Sequence, residues 1–414
     1  MTKIANSTSR KVLNCSRVVT CSSQGTAAAT AVMISDGRIE SVGSSEIAET
    51  SSDEVHDFTG CTIVPGFVDC HDHLAQDLDQ EVTGTVRYES DAVLALRGAK
   101  NARVLIASGI TTLRNLGDRN PVGVSLRDAI ASGGLLGPRM FVSGASICRT
   151  GGHAWTGQSM EADGVDGVVT AVRSNLKLGV DCIKLMITSG FATIPTRAEM
   201  RRNEVRAGIE EAHAWRRKVA VHCYGGEAAD WAIAYGADSL EHGGLLEDEQ
   251  LEKMAAKGLF LVITTGTGRF CMDSQYISAV VRERIREVVE SRIPDTLMRA
   301  RAAGVKVAIG GDINHGVPSD EMEALVTAGY TPIQAIRAAT LAGAELIGID
   351  DAVGSLESGK IADLVVLEGN PLEDIRATSR VVAVMKAGEF ITSNPSPNLT
   401  GSNRIHPKRC CNSQ

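Results

Sequence analysis

The chain has 414 residues, a formal charge of −8, and 43% hydrophobic and 22% charged residues, enough to bury one large domain with a small companion. No Lys/Arg-rich run stands out, which speaks against nucleic acid as a partner. No stretch reaches 18 apolar residues, so no membrane span is expected. The opening MTKIANSTSRK lacks the apolar centre of a secretion signal, and a cytoplasmic setting is expected. Ten cysteines in so long a chain do not make a disulfide framework. Cys70, Cys182 and Cys223 sit in apolar runs as small buried thiols. Cys410, Cys411 and the sequon at Asn398 fall in a polar tail.

The first 60 residues read as short strands. KVLNCSRVVTC, TAAATAVMISDG and RIESVGSS carry β-branched residues broken by Gly, Asp and Ser. Ser35-Asp36-Gly37 has the composition of a hairpin turn. From residue 62 the rhythm changes to strand, loop, helix. Eight strands are predicted, over 62–73, 109–117, 138–145, 182–190, 218–225, 239–244, 259–265 and 305–312. Helical patterns lie between them at 90–109, 168–179, 196–218, 225–236, 247–258 and 296–304. Thr196 and Glu199 have the spacing of a capping box. The charged runs RRNEVR and VRERIREV read as solvated helix faces. Eight βα units fit a (β/α)8 barrel better than an open doubly wound sheet, and no GxGxxG follows the first barrel strand.

Two further helices follow, DEMEALVTAG and TPIQAIRAATLAGAELIG, and then strands return in GSLESGKIADLVVLEGNP and VVAVMKAGEF. The expected architecture is an α/β chain: a TIM-like barrel over 61–354 and a small β-sandwich domain built by both ends, 1–60 and 355–392. A polar tail fills 393–414.

A barrel works at the C-terminal ends of its strands, and that is where the metal-competent residues fall. His71 and His73 form an HxH pair whose rings share one side of an extended strand, with Asp72 turned away. His222 and His242 each close an apolar strand before a glycine-rich turn. Four imidazoles suffice for two shared ions, or for one ion with assisting groups. Asp312 ends the eighth strand, where a carboxylate can ligate a metal and take a proton from water. Lys184, in the apolar CIKLM, is costly as a bare ammonium. It has three outcomes: a carboxylate partner, a lowered pKa, or addition of CO2 to give an anionic carbamate.

His153 follows two glycines in CRTGGHAW and is placed to meet a substrate, as is Tyr224, two residues beyond His222. Arg114 is expected to pair with Asp118 in its loop. His315 lies close to Asp312 without a fixed place. His56, His213 and His406 have no supporting context.

PGFVDCHDH, IKLMITSG, VHCYG, SLEHG, GGD and the late GSLESGKIADLVVLEGNPLEDI together resemble the metal-dependent amidohydrolase superfamily over nearly the whole chain. TTLRNLGD, GGHAW and HCYG resemble its imidazolonepropionase-related branch, with prolidase-like and Xaa-Arg-type dipeptidases and ochratoxin-type amidases. The resemblance implies two Zn2+ ions bridged by N6-carboxylysine at Lys184, with His222 and His242 on the second ion. It implies Asp312 as ligand and proton shuttle, and His153 and Tyr224 as groups that hold or polarise the substrate. It implies a hydrolase acting on an amide or peptide bond in a small molecule such as a dipeptide or N-acyl amino acid. The alternatives on the same site are a cyclic amidase, deaminase, carbamate hydrolase or lyase. Cys223, and the SGF after the lysine strand, depart from the pattern and put the substrate in question rather than the metal chemistry. The composition also admits a homo-oligomer.

Overall fold

A computed structural model describes residues 10–22, 29–44, 53–77, 83–190 and 193–391. Cys410, Cys411, Asn398, His406 and Phe191 lie outside them. The chain opens with β1 (Lys11–Val18), β2 (Ala31–Ser35), β3 (Arg38–Gly43) and β4 (Glu54–Pro65). Asp36 and Gly37 both have positive φ in the β2–β3 turn, the backbone that a two-residue hairpin demands.

The run predicted as one strand over 62–73 is two. It breaks at Gly66, whose amide donates to Asp363 O and where a Cβ would lie 2.2 Å from Thr111 Oγ1. The first part completes β4. The second is β5 (Phe67–Asp72), which opens the barrel.

Then come β6 (Ile110–Asn115), β7 (Arg139–Val142), the short β8 (Ser146–Cys148) and β9 (Ser159–Glu161), β10 (Cys182–Met186), β11 (Lys218–Gly225), β12 (Ser239–Leu245), β13 (Phe260–Ile263) and β14 (Lys306–Ile309). All eight predicted barrel strands are present, paired in parallel. Two seams close the ring. Asp181 N donates to Val142 O, and around the Asp72–Asp312 bridge Asp312 N donates to His71 O. Helices at Asp91–Ala107, Gly164–Lys177, Arg202–Ala214, Glu227–Tyr235, Asp248–Lys257 and Ile293–Ala303 match those predicted. Ser90 caps the first through Val93 N, one of the amides a helix start leaves without a partner.

Two differences have local causes. The helix predicted from 196 starts at Arg202, because Ala198 bridges to Thr188. Glu204, not Glu199, serves its start by accepting from Arg201 N. The late helical run splits into Pro332–Ala338 and Leu341–Ile347, where Thr340 Oγ1 bonds back to Ile336 O. Between β13 and the last barrel helix the chain inserts helices Thr265–Met272 and Ala279–Glu287 and a π-turn over Val288–Arg292.

The last strands, β15 (Leu364–Glu368), β16 (Val381–Lys386) and β17 (Glu389–Phe390), join the first four in one mixed sheet. Its order is β17-β16-β15-β4-β1-β2-β3. Leu13, Ile39, Phe58, Ile63, Leu364 and Met385 form its own core, separate from that of the barrel. β4 carries this sheet through Pro65, past the boundary expected at 60. Among the described residues no helix is long and apolar enough to cross a membrane.

Candidate active site

His71, His73, Lys184, His222, His242 and Asp312 line one cavity of about 590 Å3, together with His153 and Tyr224. The size suits a small molecule. His71 Nε2 lies 3.3 Å from His73 Nε2. Asp312 Oδ1 lies 3.5 Å from His73 Nε2 and 3.8 Å from His71 Nε2. Donor atoms of His71, His242 and Asp312 lie within 4.8 Å of one another. His222 stacks on His153 at 4.1 Å, and Tyr224 on His242 at 5.0 Å.

Each imidazole has one nitrogen committed away from the centre. His71 Nδ1 is 2.8 Å from Glu241 Oε2, His73 Nδ1 3.2 Å from Gly117 O, and His222 Nε2 3.4 Å from Ser189 O. These partners are acceptors, so the committed nitrogen carries the proton and the other keeps its lone pair. His242 Nδ1 meets Thr264 Oγ1 at 2.6 Å. Burial holds the rings neutral. It pushes His73 down to about 3 and His153 to about 4, and puts His71, His222 and His242 well below the usual range. Neutral imidazole with a free nitrogen is the ligand form.

Lys184 is fully buried, and its Nζ has no hydrogen-bond partner. Burial lowers its pKa, against the pull of Glu241 and Asp312. Burial likewise raises that of Asp312, which Lys184 opposes. His242 and Asp312 have φ of 72° and 57°, a region costly for residues with a side chain and common at functional sites. Gly310 lets the end of β14 approach. A Cβ there would sit 2.4 Å from that of His71.

Several residues that support the centre carry no sequence signal of their own. Asp69 braces two strands, accepting from His71 N and Gly311 N at 3.0 Å each. Glu199 accepts from His153 N at 2.6 Å and Ser189 Oγ at 2.7 Å, so its spacing from Thr196 served no helix cap. Arg114 does not pair with Asp118. It is buried inside the barrel and donates to Cys70 O, Ser239 Oγ and Glu241 Oε1. Asp118 is met instead by Asn115 Nδ2. The inserted segment adds Cys271, Tyr276, Ile277, Val281 and Ile285 to the cavity wall, so one side of the run expected to be a solvated helix face covers the mouth.

The amidohydrolase family pattern matches residues 62–391. This chain belongs to the amidohydrolase family. It is 29% identical over 358 residues to ochratoxinase of Aspergillus niger, covering 78% of this chain and 73% of that one. To imidazolonepropionase of Symbiobacterium thermophilum it is 30% identical over 372 residues, covering 80% and 82%. A crystal structure of a Xaa-Pro dipeptidase with methionine in its active site superposes with a TM-score of 0.84 at 31% identity, over 92% of this chain and 99% of that one. The chain is therefore a hydrolytic enzyme of a generally metal-dependent family.

Its donor set fits such a group: four neutral imidazoles, three of them with the committed nitrogen on a pure acceptor, a carboxylate, and a buried amine with no partner. The remaining described histidines of the amidohydrolase chain, His315, His213 and His56, stand apart. His315 bonds Asp72 and Gln76 O outside the cavity, which turns Asp72 away from the imidazoles as expected. His213 pairs with Asp238, and His56 with Glu54. Cys223 is buried in the barrel core and does not line the cavity.

Proposed function

We propose that the enzyme is a zinc-dependent amidase or dipeptidase that splits an amide bond in a dipeptide or N-acyl amino acid. The observation that carries this is the convergence of four oriented imidazoles on Asp312 and an unpartnered Lys184. His71, His73 and Asp312 would hold one ion and His222 and His242 a second, with Lys184 as N6-carboxylysine between them. When bound, the ions supply a water acidic near pH ~7 and a Lewis acid for the carbonyl.

The chain's own groups do the rest. Lys184, disfavoured as an ammonium by burial, is available as a neutral amine to add CO2. Asp312 takes the proton of the attacking water at its carboxylate and passes it to the leaving nitrogen. His153, fixed through its backbone by Glu199, donates to the carbonyl oxygen as negative charge develops there. Tyr224, stacked on His242, holds the substrate over the imidazoles. Arg149 lines the same cavity and suits a substrate carboxylate, while Ile277, Val281 and Ile285 suit an apolar acyl or side chain.

The test is a metal analysis with a product assay over N-acyl amino acids, Xaa dipeptides and cyclic amides. Bound zinc and release of free amino acid are expected. Ring opening of a cyclic amide alone would make the enzyme a cyclic amidase. Protein exchanged into isotopically labelled bicarbonate should show a carbamate carbon that Lys184→Met lacks.

A further inference from the structure

A buried charge pair lies beneath the centre, and nothing in the proposed reaction uses it. Arg114 comes from β6 and Glu241 from β12, and both are buried. Arg114 Nη2 donates to Glu241 Oε1 at 3.0 Å, and Ser239 Oγ donates to the same oxygen at 2.5 Å. Arg114 Nε donates to Cys70 O at 2.6 Å, the carbonyl that precedes His71. One guanidinium thus ties β5, β6 and β12 together. The other oxygen of Glu241, Oε2, faces His71 Nδ1 at 2.8 Å.

Guanidinium can only donate, so it claims Oε1 and leaves Oε2 as a pure acceptor aimed at His71. A buried ion pair is a weak device for stability, because desolvation offsets most of the attraction. Its place directly behind His71 gives it another role. We infer that Arg114 and Glu241 are positioning residues: they lock His71 as its Nδ1–H tautomer, so that the Nε2 lone pair faces the mouth where a metal would sit. This rests on the metal reading of the site, but it makes a claim about the ring proton that holds in metal-free protein.

Glu241→Gln tests it without changing shape. In that variant Arg114 still claims the amide oxygen, so the amide NH2 must face His71 Nδ1. The ring can then answer only by accepting at Nδ1, which moves its proton to Nε2. Imidazole nitrogen NMR of the metal-free full-length chain, with the His71 signal assigned by its loss in His71→Asn, should show Nδ1–H in the wild type and Nε2–H in Glu241→Gln. Titration with Zn2+ in bicarbonate buffer should show affinity reduced about 10–100-fold, the usual cost of losing a partner behind a ligand.

The double variant Arg114→Met/Glu241→Gln frees the amide to turn its oxygen to His71. It should recover the Nδ1–H tautomer and part of the affinity. A packing role alone would lower stability and leave the tautomer alone, and it would make the double variant worse than the single one. Retention of Nδ1–H in Glu241→Gln overturns the proposal. A flip that the double variant does not reverse overturns the part given to Arg114. A wild type with Nδ1–H at His71 that takes up no zinc overturns the metal reading and leaves the tautomer lock standing.

Discussion

The barrel mouth and the terminal sheet are built from similar β-branched strands and put them to opposite uses. In the sheet, buried positions are filled by Leu13, Ile63, Leu364 and Met385, and charged side chains such as Lys11 and Glu389 pair at its surface. At the mouth the buried positions hold imidazoles, carboxylates, a guanidinium and an unpartnered amine, and His242 and Asp312 have strained backbones. One region gains stability from its contents, while the other carries a burden that the rest of the molecule must support. A polar group in an apolar strand is therefore worth reading as chemistry when several such strands end at one place.

The contrast can be broken most sharply at Asp312. Asp312→Asn, with metal content retained, should lower turnover about 10²–10⁴-fold, the usual worth of a placed acid–base group. Stability should not fall, since burial already disfavours the charged form. Near-normal turnover would remove Asp312 from the proton path.

The opposite result is expected in the sheet. Leu13→Ala, at a fully buried position, should cost about 2–5 kcal/mol in denaturant unfolding, with kcat per folded molecule unchanged. A selective loss of kcat would mean that the sheet tunes the mouth.

His315 gives a pH test of the border between polar and apolar regions. Burial works against its charged form, but the Asp72 carboxylate and Gln76 carbonyl outweigh that and raise it from 6.5 to about 9. A raised cation favours the fold below its ordinary value and loses that effect as pH rises through the folded one. Metal-free protein should therefore lose up to about 3 kcal/mol between pH ~6.5 and ~9, and His315→Gln should flatten that slope. An unchanged slope would deny His315 its charge.

The smallest effect is expected at the wall. Ile285→Ala should cost about 1–3 kcal/mol in kcat/KM for substrates with a bulky apolar group and little for small ones. Equal losses for both would make Ile285 a packing residue.

Most of this was legible where chemistry and strand period coincide. His71, His73, Lys184, His222, His242 and Asp312 each end or follow an apolar run, and the barrel brings all six to one cavity. What escaped depends on contacts far apart in sequence. Arg114 stands four residues from Asp118, but its partners lie across the barrel at Ser239 and Glu241. Glu241 adjoins a histidine that draws the eye, and its own target, His71, is 170 residues away. The helix at 279–287 looked solvated because its charges are real, yet Val281 and Ile285 turn to the cavity. Gly66 splits a run that reads as continuous because the block comes from Thr111.

The pairing of β4 with β15 has a consequence for the birth of the molecule. Residues 61–65 hydrogen-bond with residues 364–368, and after one glycine β4 runs directly into the strand that bears His71. Synthesis must therefore pass residue 368 before β4 has both its neighbours, whereas the strand that bears His71 pairs with β6 and meets the end of β14, both earlier in the chain. Until then β4, one glycine ahead of the strand that leads to the first two imidazoles, keeps an open edge. The mouth takes its last donor from Asp312, just after β14, so a chain stopped before residue 364 would keep all six donors and lose the strand that braces the outer edge of β4.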